Sequence, residues 1–157
     1  MKVNFETERL IIRPLVPDDA EAAFRWCGDP NVNTYMILVI GDHQRFEGYT
    51  LLLCKEHATE LSQLAPDFRT AFLRDMAMTA EAVERAFHPD KVNYELLGAG
   101  KGRHMHWHIF PRRNGDTPKP GPVWQVQDMN DDRYLPSGEK LEELKSSLRK
   151  ELDLLCK

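Results

Sequence analysis

Three histidines, His104, His106 and His108, alternate with apolar residues in one short stretch of the chain. Alternation is the period of a β-strand, so the three imidazoles are expected on one face, with neighbours roughly 6.5–7 Å apart. Imidazole changes its charge near neutral pH, which suits it to nucleophilic, acid–base or metal-binding chemistry. The other face would carry residues typical of a core: Met105, Trp107 and Ile109. The pattern predicts a reactive histidine face on a strand whose other side is buried.

Two kinds of chemistry fit such a face. One imidazole can act as a nucleophile or as an acid–base group while its neighbours donate hydrogen bonds. The alternative is a zinc site, in which the three histidines bind Zn²⁺ at about 2.0–2.1 Å with His57 as the fourth ligand. Three successive positions on one strand face spread over roughly 13 Å, which is awkward for a single ion. The spacing therefore disfavours zinc and favours nucleophilic or acid–base chemistry, although alternation alone does not say which histidine reacts.

The surrounding patterns predict the elements that position this strand. Apolar runs at 35–40 and 48–55 favour one β-hairpin, and the run at 91–97 favours a second hairpin with the histidine strand. Pro66 and Asp67 open a helix of about six turns that ends near Phe87 and carries one apolar stripe. An antiparallel sheet with a long helix packed on it is therefore expected.

The C-terminal part is predicted to add an arm and a second helix. Residues 114–123 contain three prolines and two glycines, which favours an extended, ordered arm. Residues 123–126 are interpreted as a short edge strand, with Trp124 packed on a neighbour. Ser137 caps a helix whose leucines recur at helical steps: Leu141, Leu144, Leu148, Leu152 and Leu155. The predicted fold class is α+β, with about five antiparallel strands, one long helix, an N-terminal strand and helix, and a C-terminal helix.

The histidine stretch resembles the His-x-His-x-His motif, with apolar residues at x, of the histidine-triad (HIT) nucleotide hydrolases and transferases. The resemblance covers residues 36–115, including the strand at 48–57 and the helix after Pro66. It implies a homodimer that acts on purine nucleotides: dinucleoside polyphosphates, nucleoside phosphoramidates or adenylylated small molecules. The uridylyltransferase branch of the family fits less well, because it has proline and glutamine where Trp107 and His108 stand.

The resemblance also implies catalytic roles for the histidines. His106 would attack the α-phosphate and hold the nucleotide covalently. His104 and His108 would donate hydrogen bonds to the non-bridging and leaving-group oxygens, and His57 would orient the triad.

Four further residues are predicted to contact the substrate. Backbone N–H groups of Gly100 and Gly102, in the glycine-rich turn before the histidines, can approach a phosphate closely. Gly100 stands where other HIT branches place glutamine or serine, so backbone would substitute for a side chain there. Asn93 is a candidate ribose or phosphate contact, and Arg112 would steer a polyphosphate unless it is only a solvated strand end.

Residues 1–36 resemble only the opening of GCN5-related (GNAT) N-acetyltransferases, over a strand at 8–15 and a helix from Pro17 through Trp26. Those enzymes hold the acetyl-CoA pyrophosphate on a glycine-rich loop that leads into a helix, whereas the loop at 98–102 leads into a strand. We therefore predict an N-terminal extension over 1–36 and a HIT-like domain over 37–157. The extension replaces the usual first strands, so a non-catalytic nucleotide-binding protein is a third alternative.

Composition and charge limit the partners, the cysteine chemistry and the cellular compartment that can be expected. The 157 residues are 41% hydrophobic and 29% charged, as in a soluble globular protein. A net charge of −4 gives no general attraction to nucleic acid or anionic membranes. Three widely separated cysteines without a Cys-x-x-Cys pair indicate neither a disulfide framework nor a zinc knuckle. We expect a cytoplasmic enzyme with no membrane span, no cofactor and no resident metal.

Overall fold

A computed structural model describes residues 5–7, 10–12, 36–97, 105–119 and 121–156 of the chain. The chain divides into two compact units, Met1–Thr34 and Tyr35–Lys157. In the first unit, β1 (Phe5–Thr7) pairs antiparallel with β2 (Leu10–Ile12). The helix expected from Pro17 lies outside the described residues, so the N-terminal extension and its domain boundary stay predictions.

A four-stranded antiparallel sheet forms the centre of the second unit. Its strands are β3 (Met36–Ile40), β4 (Thr50–Cys54), β5 (Lys91–Glu95) and β6 (His106–Arg112). They lie in the order β3-β4-β6-β5, so the histidine strand β6 is paired on both sides. The two predicted hairpins are both present and meet along β4 and β6.

Two helices pack on this sheet; the sequence predicts both helices and the packing of the long one on the sheet. Helix α1 (Pro66–Phe87) has its proline in the first turn and is followed by its C-cap residue, His88. Helix α2 (Gly138–Leu155) begins after Ser137, whose hydroxyl accepts a hydrogen bond from the Lys140 N–H. The core between helices and sheet includes side chains of both helices and of β6: Ala80, Val83, Ile109, Leu144 and Leu148. The leucine stripe of α2 therefore packs on its own domain. No helix among the described residues is both long and apolar enough to cross a bilayer.

The α+β fold is confirmed, but the expected edge strand at 123–126 is wrong. Val123–Gln125 forms a 3-10 turn, in which the Val126 N–H donates to the Val123 carbonyl at 3.0 Å. Pro122 has no N–H to give to a strand ladder, and Val123 is buried against Phe46 and Phe110. Trp124 is 62% exposed and does not pack as predicted. The sheet thus has four strands where about five were expected.

The loop between β3 and β4 ends at Tyr49, directly before the first residue of β4. Gly48 has a φ of +91°, a conformation that side chains other than glycine rarely adopt, and a Cβ there would lie 2.4 Å from the Phe87 ring. The Gly48 N–H donates to Oε1 of Gln44 at 2.8 Å, and the Tyr49 N–H donates to the Phe46 carbonyl at 2.9 Å. The loop therefore requires glycine for two independent reasons.

An ion pair fastens the end of β6 to the arm that follows it. Nε and Nη2 of Arg112 donate to the two carboxylate oxygens of Asp116 at 2.7 and 2.8 Å. The same carboxylate accepts from the Arg113 N–H at 2.9 Å, and the paired side chains are only 12% and 14% exposed. Hydrogen bonding to Arg112 lowers the pKa of Asp116.

We predict that Asp116→Asn lowers the free energy of unfolding by about 2–3 kcal/mol, because it leaves a half-buried guanidinium without its charge partner. The depressed pKa of Asp116 stabilises the fold above the carboxyl's unfolded pKa, and that contribution is lost as pH falls through the folded pKa. Urea titrations between pH 7 and pH 3 measure both effects. The control is Glu81→Gln, which breaks the exposed pair with Arg85 and should cost under about 0.5 kcal/mol. Equal losses for the two variants would contradict the structural role of the Asp116 pair.

A second prediction separates the two reasons for glycine at position 48, which are its positive φ and the nearby ring of Phe87. Gly115 also has a positive φ, of +81°, but no atom lies within 4 Å of a Cβ placed there. Gly115→Ala should therefore cost only the backbone strain of about 1–2 kcal/mol, whereas Gly48→Ala adds the clash with Phe87 and should cost more. Thermal unfolding of both variants tests the difference, and similar melting temperatures would show that the ring of Phe87 yields freely.

Candidate active site

His106 and His108 lie side by side on one face of β6. Their ring centroids are 4.6 Å apart, with the ring planes tilted by 60°, and both side chains are partly buried. The other face of the strand is core, as predicted, since Trp107 packs with Leu52 and Ile109 is fully buried. His104, Gly100 and Gly102 lie outside the described residues, so their predicted roles stay predictions. Two of the three motif histidines are thus adjacent in the described part of the chain.

Tyr49 contacts His108, and sequence reasoning assigned the tyrosine no chemistry. Its Oη lies 2.6 Å from Nδ1 of His108, and the two rings are nearly parallel with centroids 5.9 Å apart. The tyrosine ring also stacks on Phe110 at 4.3 Å. A signal was available, because residues 49, 51 and 53 alternate, and Leu51 lies opposite His108 in the β4–β6 register.

Burial makes His108 a neutral imidazole at physiological pH. Desolvation, together with the smaller effect of the adjacent His106, lowers its pKa to about 4. Burial likewise raises the pKa of Tyr49, and the negative charges of Asp42 and Glu95 add to that rise. The tyrosine hydroxyl therefore keeps its proton, and the pair is a hydroxyl beside an uncharged ring.

Glu95 places a carboxyl group on the same face. It lies opposite His108 in the β5–β6 register and is 8% exposed. It accepts a hydrogen bond from the backbone N–H of Val123, while its Oε2 is buried with no hydrogen-bond partner among the described residues. Burial raises its pKa, against the opposing effects of that hydrogen bond and of Arg112. The site therefore holds a carboxyl group that is easier to protonate than an exposed glutamate.

Two of the predicted substrate contacts, Asn93 and Arg112, are bonded to each other. Nη1 of Arg112 donates to Oδ1 of Asn93 at 3.0 Å and to the Gly121 carbonyl at 3.1 Å. Its other two nitrogens hold Asp116, and Nη2 also lies 3.4 Å from the Thr117 hydroxyl. The guanidinium thus joins two strands and the arm through all three of its nitrogens.

His57 lies in the turn that follows β4, with its side chain exposed. The adjacent backbone is tied to the start of the histidine strand, because the Met105 N–H donates to the Ala58 carbonyl at 3.1 Å. The Cys54 N–H donates in turn to the Met105 carbonyl at 3.0 Å. This turn is therefore held at the end of β6 where the histidines begin, and the orienting role of His57 stays a prediction.

A cavity of about 370 Å³ opens at the opposite end of β6. Its walls include Arg45, Arg113 and Tyr134, and neither His106 nor His108 lines it. Within the described ranges, no cluster of three or more histidine, cysteine or acidic side chains is arranged to hold a metal ion. The cavity is therefore separate from the described histidine pair.

Solved structures that resemble this chain include histidine-triad proteins. One from Bradyrhizobium japonicum is 22% identical, with a TM-score of 0.67 over 76% of this chain and 85% of its own. One from Marinobacter aquaeolei VT8 is 22% identical, with a TM-score of 0.64 over 78% and 86%. A third, described as a hypothetical histidine triad nucleotide-binding protein from Sulfolobus tokodaii, is 19% identical, with a TM-score of 0.58 over 77% and 80%.

At these identities the structural likeness is one of fold, and comparison with curated proteins gave no match. The family model described as HIT domain matches residues 33–115. That match covers more than half of the 157 residues and contains every strand of the four-stranded sheet. On this evidence the chain belongs to the HIT domain family.

Proposed function

We propose that this protein is a nucleotide hydrolase or nucleotidyl transferase that acts at the α-phosphate of dinucleoside polyphosphates or nucleoside phosphoramidates. Membership of the HIT domain family supports nucleotide binding and hydrolase or transferase activity in general. The observation that carries the finer proposal is the adjacent histidine pair, with centroids 4.6 Å apart on one strand face. A purine base and a homodimer belong to the same proposal.

In the first step His106 acts as the nucleophile. The lone pair of one ring nitrogen forms an N–P bond to the α-phosphorus, and the bond from phosphorus to the leaving group breaks. The leaving group departs with that electron pair and takes up a proton from solvent. The nucleotide is then held as a phosphoramidate on His106.

In the second step water attacks the same phosphorus. The new P–O bond forms, the N–P bond breaks, and its electron pair returns to the imidazole of His106 while the proton of the water passes to solvent. A nucleoside monophosphate is released and the histidine is regenerated. A second acceptor in place of water would give transfer rather than hydrolysis.

His108 assists both steps as a hydrogen-bond donor. Because its pKa is lowered to about 4, it is uncharged near neutral pH and carries a single N–H. That N–H can donate to a phosphate oxygen whose negative charge grows in the transition state. His104 is assigned the corresponding role for another oxygen, and His57 the orientation of the triad.

Phosphate binding is assigned first to the backbone of Gly100 and Gly102. Arg112 would have to exchange its hydrogen bonds to Asn93 and Asp116 before it contacted a substrate. Glycine N–H groups can approach a phosphate without such an exchange, because no side chain stands in the way.

We predict that His106→Asn abolishes turnover while the dissociation constant for nucleotide changes only a few-fold, because the nucleophile is lost but the pocket is not. Turnover should fall at least about a thousandfold. The measurements are hydrolysis of diadenosine tetraphosphate and adenosine phosphoramidate, together with calorimetry of nucleotide binding. Intact mass spectrometry of quenched reactions should detect a nucleotidyl adduct on the wild-type protein and none on the variant.

The matched control is His43→Asn, since His43 lies in the β3–β4 loop with its ring 3.8 Å from Asp132 and should leave turnover unchanged. Wild-type rates in His106→Asn would refute the nucleophile assignment. Nucleotide binding without turnover or adduct in the wild type would favour the non-catalytic alternative. Activity that requires stoichiometric zinc, in protein purified without a histidine tag, would favour the zinc alternative.

We also predict that His108 stays neutral down to acid pH. Its ring should titrate near pH 4 in ¹⁵N-detected NMR, with the signal assigned by its loss in His108→Gln. The unfolded chain protonates at the ordinary pKa of about 6.5, so the fold loses stability as pH falls from there towards the folded pKa. Urea titrations at pH 7 and pH 5 should show this loss in the wild type and a smaller one in His108→Gln. A ring that titrates near 6.5 would contradict the prediction.

A further inference from the structure

The hydrogen bond between Tyr49 and His108 has a definite direction. A neutral imidazole has one nitrogen that donates and one that accepts, and the tautomer decides which is which. The separation of 2.6 Å between Oη and Nδ1 matches a hydroxyl donor, since N–H donors usually stand about 2.9–3.0 Å from oxygen. The hydroxyl also keeps its proton, because burial raises the pKa of Tyr49. The short distance and the retained proton both fit a hydroxyl that donates to Nδ1 of His108.

The tyrosine ring is fixed in place by its surroundings. Phe110 stacks on it at 4.3 Å with planes 6° apart. Gly41 leaves the space that the ring occupies, since a Cβ there would lie 2.2 Å from the ring. Two hydrogen bonds to the Tyr49 carbonyl, from the Gly41 N–H at 2.9 Å and from Nε2 of Gln44 at 3.2 Å, hold its backbone. The hydroxyl is thus presented to His108 by a preorganised frame.

The charged groups around the pair favour the same arrangement. Asp42 and Glu95 act on Tyr49 as negative charges that oppose loss of its proton, and His106 opposes protonation of His108. Arg112 contributes a positive charge near Glu95. These groups keep the tyrosine protonated and the imidazole neutral. When Nδ1 accepts from the hydroxyl, the single proton of His108 occupies Nε2.

We propose that Tyr49 is a positioning residue that holds His108 in the tautomer with its proton on Nε2. The nitrogen that Tyr49 does not engage is then a donor at all times. If His108 donates to a phosphate oxygen, as the proposed function requires, the donor is set before the substrate arrives. Without the hydroxyl, the proton of His108 would distribute between Nδ1 and Nε2. In the molecules with the proton on Nδ1, Nε2 would present a lone pair to the phosphate oxygen and could not donate a hydrogen bond to it.

The test is Tyr49→Phe, which removes the hydroxyl and keeps the stacked ring. Two-dimensional ¹H–¹⁵N NMR of the free protein at pH 7 reports the tautomer of His108 through its ring nitrogen shifts. The wild type should have the proton on Nε2 in nearly all molecules, and the variant should be a mixture. The control is Tyr94→Phe, since Tyr94 is 48% exposed on β5, and it should leave both the tautomer and the rate unchanged.

Kinetics then separate positioning from a merely structural role. In Tyr49→Phe, kcat should fall about tenfold while KM changes little, because only the orientation of one donor is lost. Gly41→Ala, which keeps the hydroxyl but displaces the ring, should also alter the tautomer of His108. An unchanged tautomer in Tyr49→Phe would overturn the proposal, and so would a changed tautomer with unchanged kcat. If the wild type has no turnover, the proposed function fails, while the tautomer measurement still decides what Tyr49 does.

Discussion

The constraint on which the rest of the structure depends is the two-sided pairing of β6. Hydrogen bonding to β4 on one side and β5 on the other fixes its register, with Leu53 opposite His106 and Glu95 opposite His108. A slip of one residue would turn both imidazoles into the core and Trp107 and Ile109 out of it. Burial of Ile109 between the helices and the sheet opposes such a slip, so the same packing that stabilises the domain also orients the histidines.

The arm after β6 packs against residues that follow the histidines in the same strand. The ion pair between Arg112 and Asp116 anchors the arm, and Val123 then packs on Phe110 two residues beyond His108. Burial of the His108 ring, with a smaller effect of His106, lowers the pKa of His108 to about 4. The strand thereby carries an imidazole that stays uncharged, which is the form a neutral hydrogen-bond donor needs.

Much of the architecture was predictable because it rests on local periodicity. The alternation from His104 to His108 predicted a strand with one core face, and Pro66 predicted the start of α1 at the residue where it begins. The Ser137 cap and the leucine spacing predicted α2 and the side it buries. The stretch at 123–126 failed, because a β-branched, aromatic sequence favours a strand only where backbone partners exist. Here Pro122 and the burial of Val123 turned the chain instead.

The sequence by itself thus determined which residues can react. Its resemblance to the histidine-triad proteins also indicated the family, in agreement with the family-model match over residues 33–115. Only the tertiary structure decided which groups surround them. Tyr49 stands 59 residues before His108, and no local pattern reports that its hydroxyl lies 2.6 Å from Nδ1. The hydrogen bonds from Arg112 to Asn93 and Gly121 could not be predicted either, because they join a strand and an arm that meet only on folding. The physical reason is that periodicity fixes the face of a side chain, whereas strand register and loop path fix its neighbours.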